Sequence, residues 1–235
     1  GIAVIVGVLF ALYGSSMFAA INHLRVGTAV AISMTVGLSI GVIHGQGKRR
    51  FLSLALALAG IVAFAYQASP STAEGKAMQA SMMASLWAGV FLLFMAMMKG
   101  VASHLGYDRG AVSGVGFIIA ALGFGLWDAT IHEIPALNGR FVAVIIAVSC
   151  LVFVSPAVLR RCGAQRVDVR TEARYGAFYP AAAMLAGGIV LGQIPSILDL
   201  LGLALITGAL WIMSGVTIVP RRFFGKRGSG AVTAD

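Results

Sequence analysis

The stretch "AMQASMMASLWAGVFLLFMAMM", residues 77–98, runs its whole length without a charged side chain. An α-helix needs about 20 mostly apolar residues to cross the hydrocarbon core of a bilayer, because each residue advances it only about 1.5 Å. This stretch is long enough, and it does not stand alone. Other charge-free runs, histidine not counted, are Gly1–Leu24, Val26–Gly47, Phe51–Ala73, Gly110–Trp127, Phe141–Leu159, Tyr175–Leu198 and Leu200–Pro220. Taken with 77–98 as the fourth, they form eight candidate spans, A to H. The expected fold class is an all-α polytopic membrane protein with eight visible transmembrane helices.

The chain as a whole is 59% hydrophobic and 11% charged, with a mean hydropathy of +0.94. Its formal net charge is +9. In a soluble protein that excess would suggest a nucleic-acid partner. Here the basic residues sit in short connections between apolar runs, so no nucleic acid is expected. Run A lacks the basic start and small-residue cleavage site of a signal peptide. It begins inside an apolar run without Met, which leads to the expectation of further helices ahead of residue 1.

Lys and Arg alternate between connections. Lys48-Arg49-Arg50, Lys99 with Arg109, the Arg160–Arg170 group and the tail Arg221-Arg222-Lys226-Arg227 form one set. The other connections carry Arg25, Lys76 against Glu74, and Arg140 against Asp128 and Glu133. The positive-inside rule assigns the first set to the cytoplasm. The C-terminus is then cytoplasmic and the protein multi-pass in the inner (plasma) membrane.

Runs A–C and F–H have similar texture: an apolar helix, a Gly-bearing helix, then a Leu/Ala/Gly helix ("LALALAGIVAFA" against "DLLGLALITGAL"). The two units start on opposite sides, which marks an inverted-topology repeat, the architecture of many secondary transporters. On this reading 1–67 is the remainder of a first repeat and 68–80 an outer linker. Residues 81–219 form a second repeat and 220–235 a basic tail.

Three stretches resemble the drug/metabolite transporter superfamily, of the EamA type, and within it the threonine/homoserine exporter group. "SMFAAINHLRVGTAVAISMTVGLSIGV" (16–42) is similar to that group's third and fourth helices. "AVLRRCGAQRVDVRTEARYGAFYPAAAMLAGGIVLGQIPS" (157–196) is similar to its eighth and ninth, and "LGLALITGALWI" (201–212) to its last. The resemblance implies ten helices in two inverted five-helix repeats, the first two preceding residue 1. It also implies export of small polar metabolites such as threonine, homoserine or analogues by alternating access. Four features depart from the pattern. Arg25 and Asp168 stand where the family often has Pro, Gly37 replaces a mid-span Pro that Pro180 keeps, and Gln193 replaces a Glu after Gly192. The trio Arg170, Glu172 and Arg174 is also unusual in an apolar helix of the family.

On a helix, Arg166, Arg170 and Arg174 share one face, and Asp168 and Glu172 a second, about 200° away. Tyr175 and Tyr179 continue the Glu172 side. These groups can reach interfacial water, or Glu172 and Arg174 can meet an amino acid's ammonium and carboxylate at a cavity mouth. Ser33 and Thr35 are candidate substrate ligands against the bland alternative of bonds to their own backbone. Trp87 and Trp127 read as an aromatic belt at the outer boundary, with a cavity lid as the functional alternative for Trp87. Pro180 and Gly37 are hinge or kink candidates. Gly37, Gly41 and Gly45, like Gly188 and Gly192, are spaced for close helix packing.

Cys150 and Cys162 would lie about 18 Å apart on one helix, beyond disulfide reach. "IHEIPAL" (131–137) lacks the second His of a zinc protease motif, and "AVSG" (111–114) lacks the first Gly of a GxSG serine. No enzyme, cofactor or metal is expected. The expected partners are a small-molecule substrate and the lipid bilayer, with a second copy of the chain as a candidate. The alternatives are a non-transporting scaffold or biogenesis protein, and a small multidrug-type exporter of lipophilic cations.

Overall fold

The computed structural model describes residues 1–44, 48–68, 71–131 and 175–214. Their regular structure is entirely helical: α1 Ile2–Ile21, α2 Val26–His44, α3 Arg49–Ala65, α4 Ala73–His104, α5 Arg109–Ile131, α6 Tyr179–Leu191 and α7 Ile197–Ser214. Runs A to E correspond to α1 to α5. Run F (141–159) and the tail 220–235 lie outside the described residues.

Among the described residues, three helices, α1, α4 and α7, are long and apolar enough to cross a membrane. Large apolar side chains also cover the outside: Phe18 is 69% exposed and Ile189 84%. A bilayer accommodates such a surface at no hydrophobic cost, whereas water would not. The chain is a membrane-embedded helical protein. Eight full-length spans, as the hydropathy predicts, are not what the described residues display. α2 and α5 run 19 and 23 residues, but α6 is much shorter. With 13 residues, α6 reaches only about 20 Å against a core of about 30 Å.

Local chemistry explains these boundaries. Thr72 Oγ1 accepts from Gly75 N at 3.0 Å to start α4. Gly106, with φ 85°, ends it and lets Tyr107 N donate back to Ala102 O at 2.9 Å. Run G was expected to continue to Leu198, but α6 stops at Gly192, whose left-handed φ of 65° suits glycine. An extended piece, 192–196, containing Pro195, then leads into α7. At the other end of α6, helical residues 175–176 are interrupted by a turn at 177–178. Pro180 sits in the first turn after this break, where its missing N–H costs no helix bond. α2 runs through Gly37 without interruption.

α1 packs along α4 and α5, α2 against α4 and α6, and α3 along α7. Two of these pairs are antiparallel. Val26 and Gly27, at the start of α2, lie against Gly187 and Met184 in the second half of α6. Ser53, near the start of α3, donates to Ala209 O at 2.8 Å. Gly60 meets Gly202 and Ile206, and the Phe64 ring covers Gly202. Gly37, of the expected stripe, is not among the glycines that bring helices together. A Cβ on Gly37 would meet nothing within 4 Å, whereas one on Gly27 would fall 2.3 Å from Met184 Cβ. Gly41 and Gly45 are not among the residues whose surroundings are described. Gly188 approaches only Gln193 O, and Gly192 serves as the cap of α6. The main core joins these helices through Leu24, Ile32, Phe64, Met82, Met184 and Ile206.

Candidate functional site

One end of the bundle gathers the connections 22–25, 66–68 and 192–196 around a single carboxylate. Asp199 is 1% exposed and belongs to the first turn of α7. Ser196, just before the helix, donates its backbone N–H to Asp199 Oδ2 at 2.9 Å. The Asp199 N–H in turn donates to Ser196 Oγ at 3.2 Å. This reciprocal pair is a capping box with Asp in place of Glu, and the helix N-terminus favours the negative charge.

Three residues from two other segments reach the same carboxylate. Arg25 donates from Nη1 to Oδ2 in an ion pair. Thr28 Oγ1 donates to Oδ1 at 3.1 Å, and Gln67 Nε2 to Oδ1 at 3.3 Å. The Ser196 hydroxyl lies 2.7 Å from Oδ2 and 3.0 Å from Gln67 Oε1. Its single proton serves one acceptor at a time, and the charged one binds it more strongly. Beside this cluster, Gln193 Oε1 accepts from Val26 N at 3.1 Å, filling one of the open amides at the start of α2.

The ionic partners differ in exposure: the Arg25 side chain is 34% exposed and that of Asp199 2%. Arg25 borders a polar cavity of about 420 Å³ that is also lined by Asn22, His23, Gln67, Met78, Gln193 and Asp199. Many small-ligand pockets are of this size. Deep burial of a carboxylate is tolerable here because every lone-pair direction is used and a guanidinium balances its charge.

A second cavity of about 390 Å³ lies further along the same helices. Ser33, Met34, Gly37 and Leu38 of α2 face Gly89, Leu92, Leu93 and Ala96 of α4, with Gly176, Ala177, Leu210 and Met213 beside them. Its walls are nearly all apolar.

The expected site residues are scattered with respect to these two cavities. Ser33 lines the apolar cavity, but its hydroxyl donates to Val30 O at 2.8 Å. Thr35 is buried and donates to Ile32 O at 2.6 Å. Trp87 is near the midpoint of α4 rather than at a helix end, 53% exposed and stacked on Phe91 with centroids 5.9 Å apart. It lines neither of these two cavities. Tyr175 and Tyr179 face outward, 70% and 65% exposed. Glu172 and Arg174 lie outside the described residues, as do Arg160–Arg170. The Arg25–Asp199 pair is absent from the sequence expectations, although Ser196-x-x-Asp199 after Pro195 is a legible helix start. Among the described residues, no group of three His, Cys, Asp or Glu side chains comes together as a metal ligand set.

Comparison with models of protein families finds no match for this chain, and no curated protein or solved structure matches it.

Proposed function

We propose that the protein is a secondary transporter that moves small metabolites by alternating access. In this reading it is a multi-pass protein of the inner membrane with ten helices in two inverted repeats, eight of them within residues 1–235. The basic connections and C-terminus face the cytoplasm, so the Arg25–Asp199 end faces out. The observation that carries the reading is that α4 and α7 both border two separate cavities, a polar one closed by the connections 22–25 and 192–196 and an apolar one faced by α2, at different depths. The antiparallel pairing of α2 with α6 and of α3 with α7 supports the repeat, because a two-fold axis in the membrane plane packs equivalent helices against each other head to tail. α2 and α6 are the second helices of the matched units, and α3 and α7 the third.

The cargo follows less directly. Amino acids such as threonine or homoserine follow from the resemblance, and the polar cavity has hydrogen-bonding groups suited to them. The apolar cavity favours a second reading, in which the cargo is a lipophilic cation.

Flux through proteoliposomes holding the full-length protein tests both. Labelled threonine, homoserine and larger apolar amino acids are expected to exchange, with uptake lowered at least about tenfold by Leu93→Trp, which fills the apolar cavity and clashes with its walls. Transport of a tetraphenylphosphonium-type cation without amino-acid flux would select the second reading. No flux of either class would overturn transport.

A further inference from the structure

The polar and apolar cavities are divided by a packed layer to which each shared helix contributes. Ile32 of α2, Met82 of α4, Met184 of α6, and Leu203 and Ile206 of α7 are all at most 9% exposed. They join in one cluster. On α4 the order is Met78 at the polar cavity, Met82 in the layer and Gly89 at the apolar cavity. On α7 it is Asp199, then Leu203 and Ile206, then Leu210. The two cavities are thus about 16–17 Å apart along the helix axes.

The bonds above this layer tie two parts of the chain together. Arg25, Thr28 and Gln67 belong to residues 1–68, and Gln193, Ser196 and Asp199 to 175–214. The jaws of this clasp are unequal. Asp199 is held in the α7 capping box whether or not Arg25 is present. Arg25 is partly exposed, so it can swing into water and keep its charge solvated. A fixed buried anion and a mobile cation make a joint that opens from one side without unwinding α7.

We propose that Arg25 and Asp199 are the latch of a gate. Their pairing holds the polar end shut over the Ile32–Met82–Met184–Ile206 layer, and their separation opens the layer to the polar cavity. The proposal rests on the transport reading for its purpose, but its test is independent of flux. Losing a charge-assisted bond shifts an open–closed equilibrium by about tenfold or more.

The full-length protein in detergent, with Cys150→Ser and Cys162→Ser, receives one reporter at a time. Met82→Cys reads the layer and Leu93→Cys reads the apolar cavity. Their labelling rates with a charged, water-soluble methanethiosulfonate are compared with and without Arg25→Gln. The latch predicts about tenfold faster labelling at position 82, unchanged or slower labelling at position 93, and a near-parental rate at 82 with Arg25→Lys. If Arg25→Gln does not purify as a monodisperse species, Gln67→Ala removes the amide donation to Asp199 Oδ1 without stranding a charge. It is expected to give about threefold at position 82, less than for Arg25→Gln because this bond to the carboxylate is long, 3.3 Å. An unchanged rate at 82 overturns the latch. So does parallel acceleration at both reporters, which would make the pair a general brace of the bundle. Flux failing while position 82 responds as stated would remove the transport reading and leave the gate as a conformational property.

Discussion

The two ends of the bundle share α4 and α7 but hold together by different means. At the Asp199 end, side chains from three segments converge on one carboxylate and fill its oxygens with hydrogen bonds. At the Met213 end, the walls are Met, Leu, Ala and Gly around an open cavity, and the hydroxyl of Ser33 turns back to its own helix. Directional bonds define one arrangement and lose much when it changes, whereas apolar walls can slide with little penalty. On the latch proposal, the polar end is where the bundle chooses between two states, and on the transport proposal the apolar end is where a solute is accommodated.

The contrast breaks most visibly at Asp199. Asp199→Ala leaves Arg25, Thr28 and the Ser196 amide without their acceptor, and should cost about 3 kcal/mol, the lower end for a broken buried pair because Arg25 reaches water. Unfolding in mixed detergent micelles would read this as a clear loss of stability, and an unchanged midpoint would refute the account of the polar end. A single helix gives the next test. Gly27→Ala pushes a methyl into Met184 backbone atoms and should destabilise by about 1–3 kcal/mol. Gly37→Ala, on the same helix with nothing nearby, should stabilise by about 0.5–1 kcal/mol through reduced backbone freedom. The same sign at both positions would contradict the placement of the α2–α6 contact. The smallest effect is expected at the apolar end: Ser33→Ala should change stability by less than about 0.5 kcal/mol and solute flux by less than about twofold, since its hydroxyl serves only the backbone. A larger fall in flux would restore Ser33 as a substrate ligand.

Much of the helical layout was legible from charge spacing. Arg25, Lys48 to Arg50, Glu74 with Lys76, and Asp108 with Arg109 each fall at or beside a boundary between described helices. The method failed where a boundary carries no charge. Gly192-Gln-Ile-Pro195-Ser196 breaks α6 from α7, yet a count of charges passes through it and stops at Asp199, which is already inside the next helix. Glycine spacing misled for a related reason. The period in Gly37, Gly41 and Gly45 records a helix face, but whether a neighbour occupies that face depends on helices far away in sequence. The same holds for the site. A capping box between positions 196 and 199 is local and readable. Its partnership with Arg25 spans 174 positions and arises only when α2 and α7 meet.

The most direct measurement is a double-mutant cycle on unfolding stability with Arg25→Gln, Asp199→Asn and the two combined. Asn retains the shape and a capping oxygen, so the cycle isolates the charge pairing rather than the start of α7. The account predicts a coupling of at least about 1 kcal/mol, within the range for residues in direct contact. Additivity within about 0.3–0.5 kcal/mol would show that the two side chains act independently, and would contradict the claim that their pairing closes the polar end.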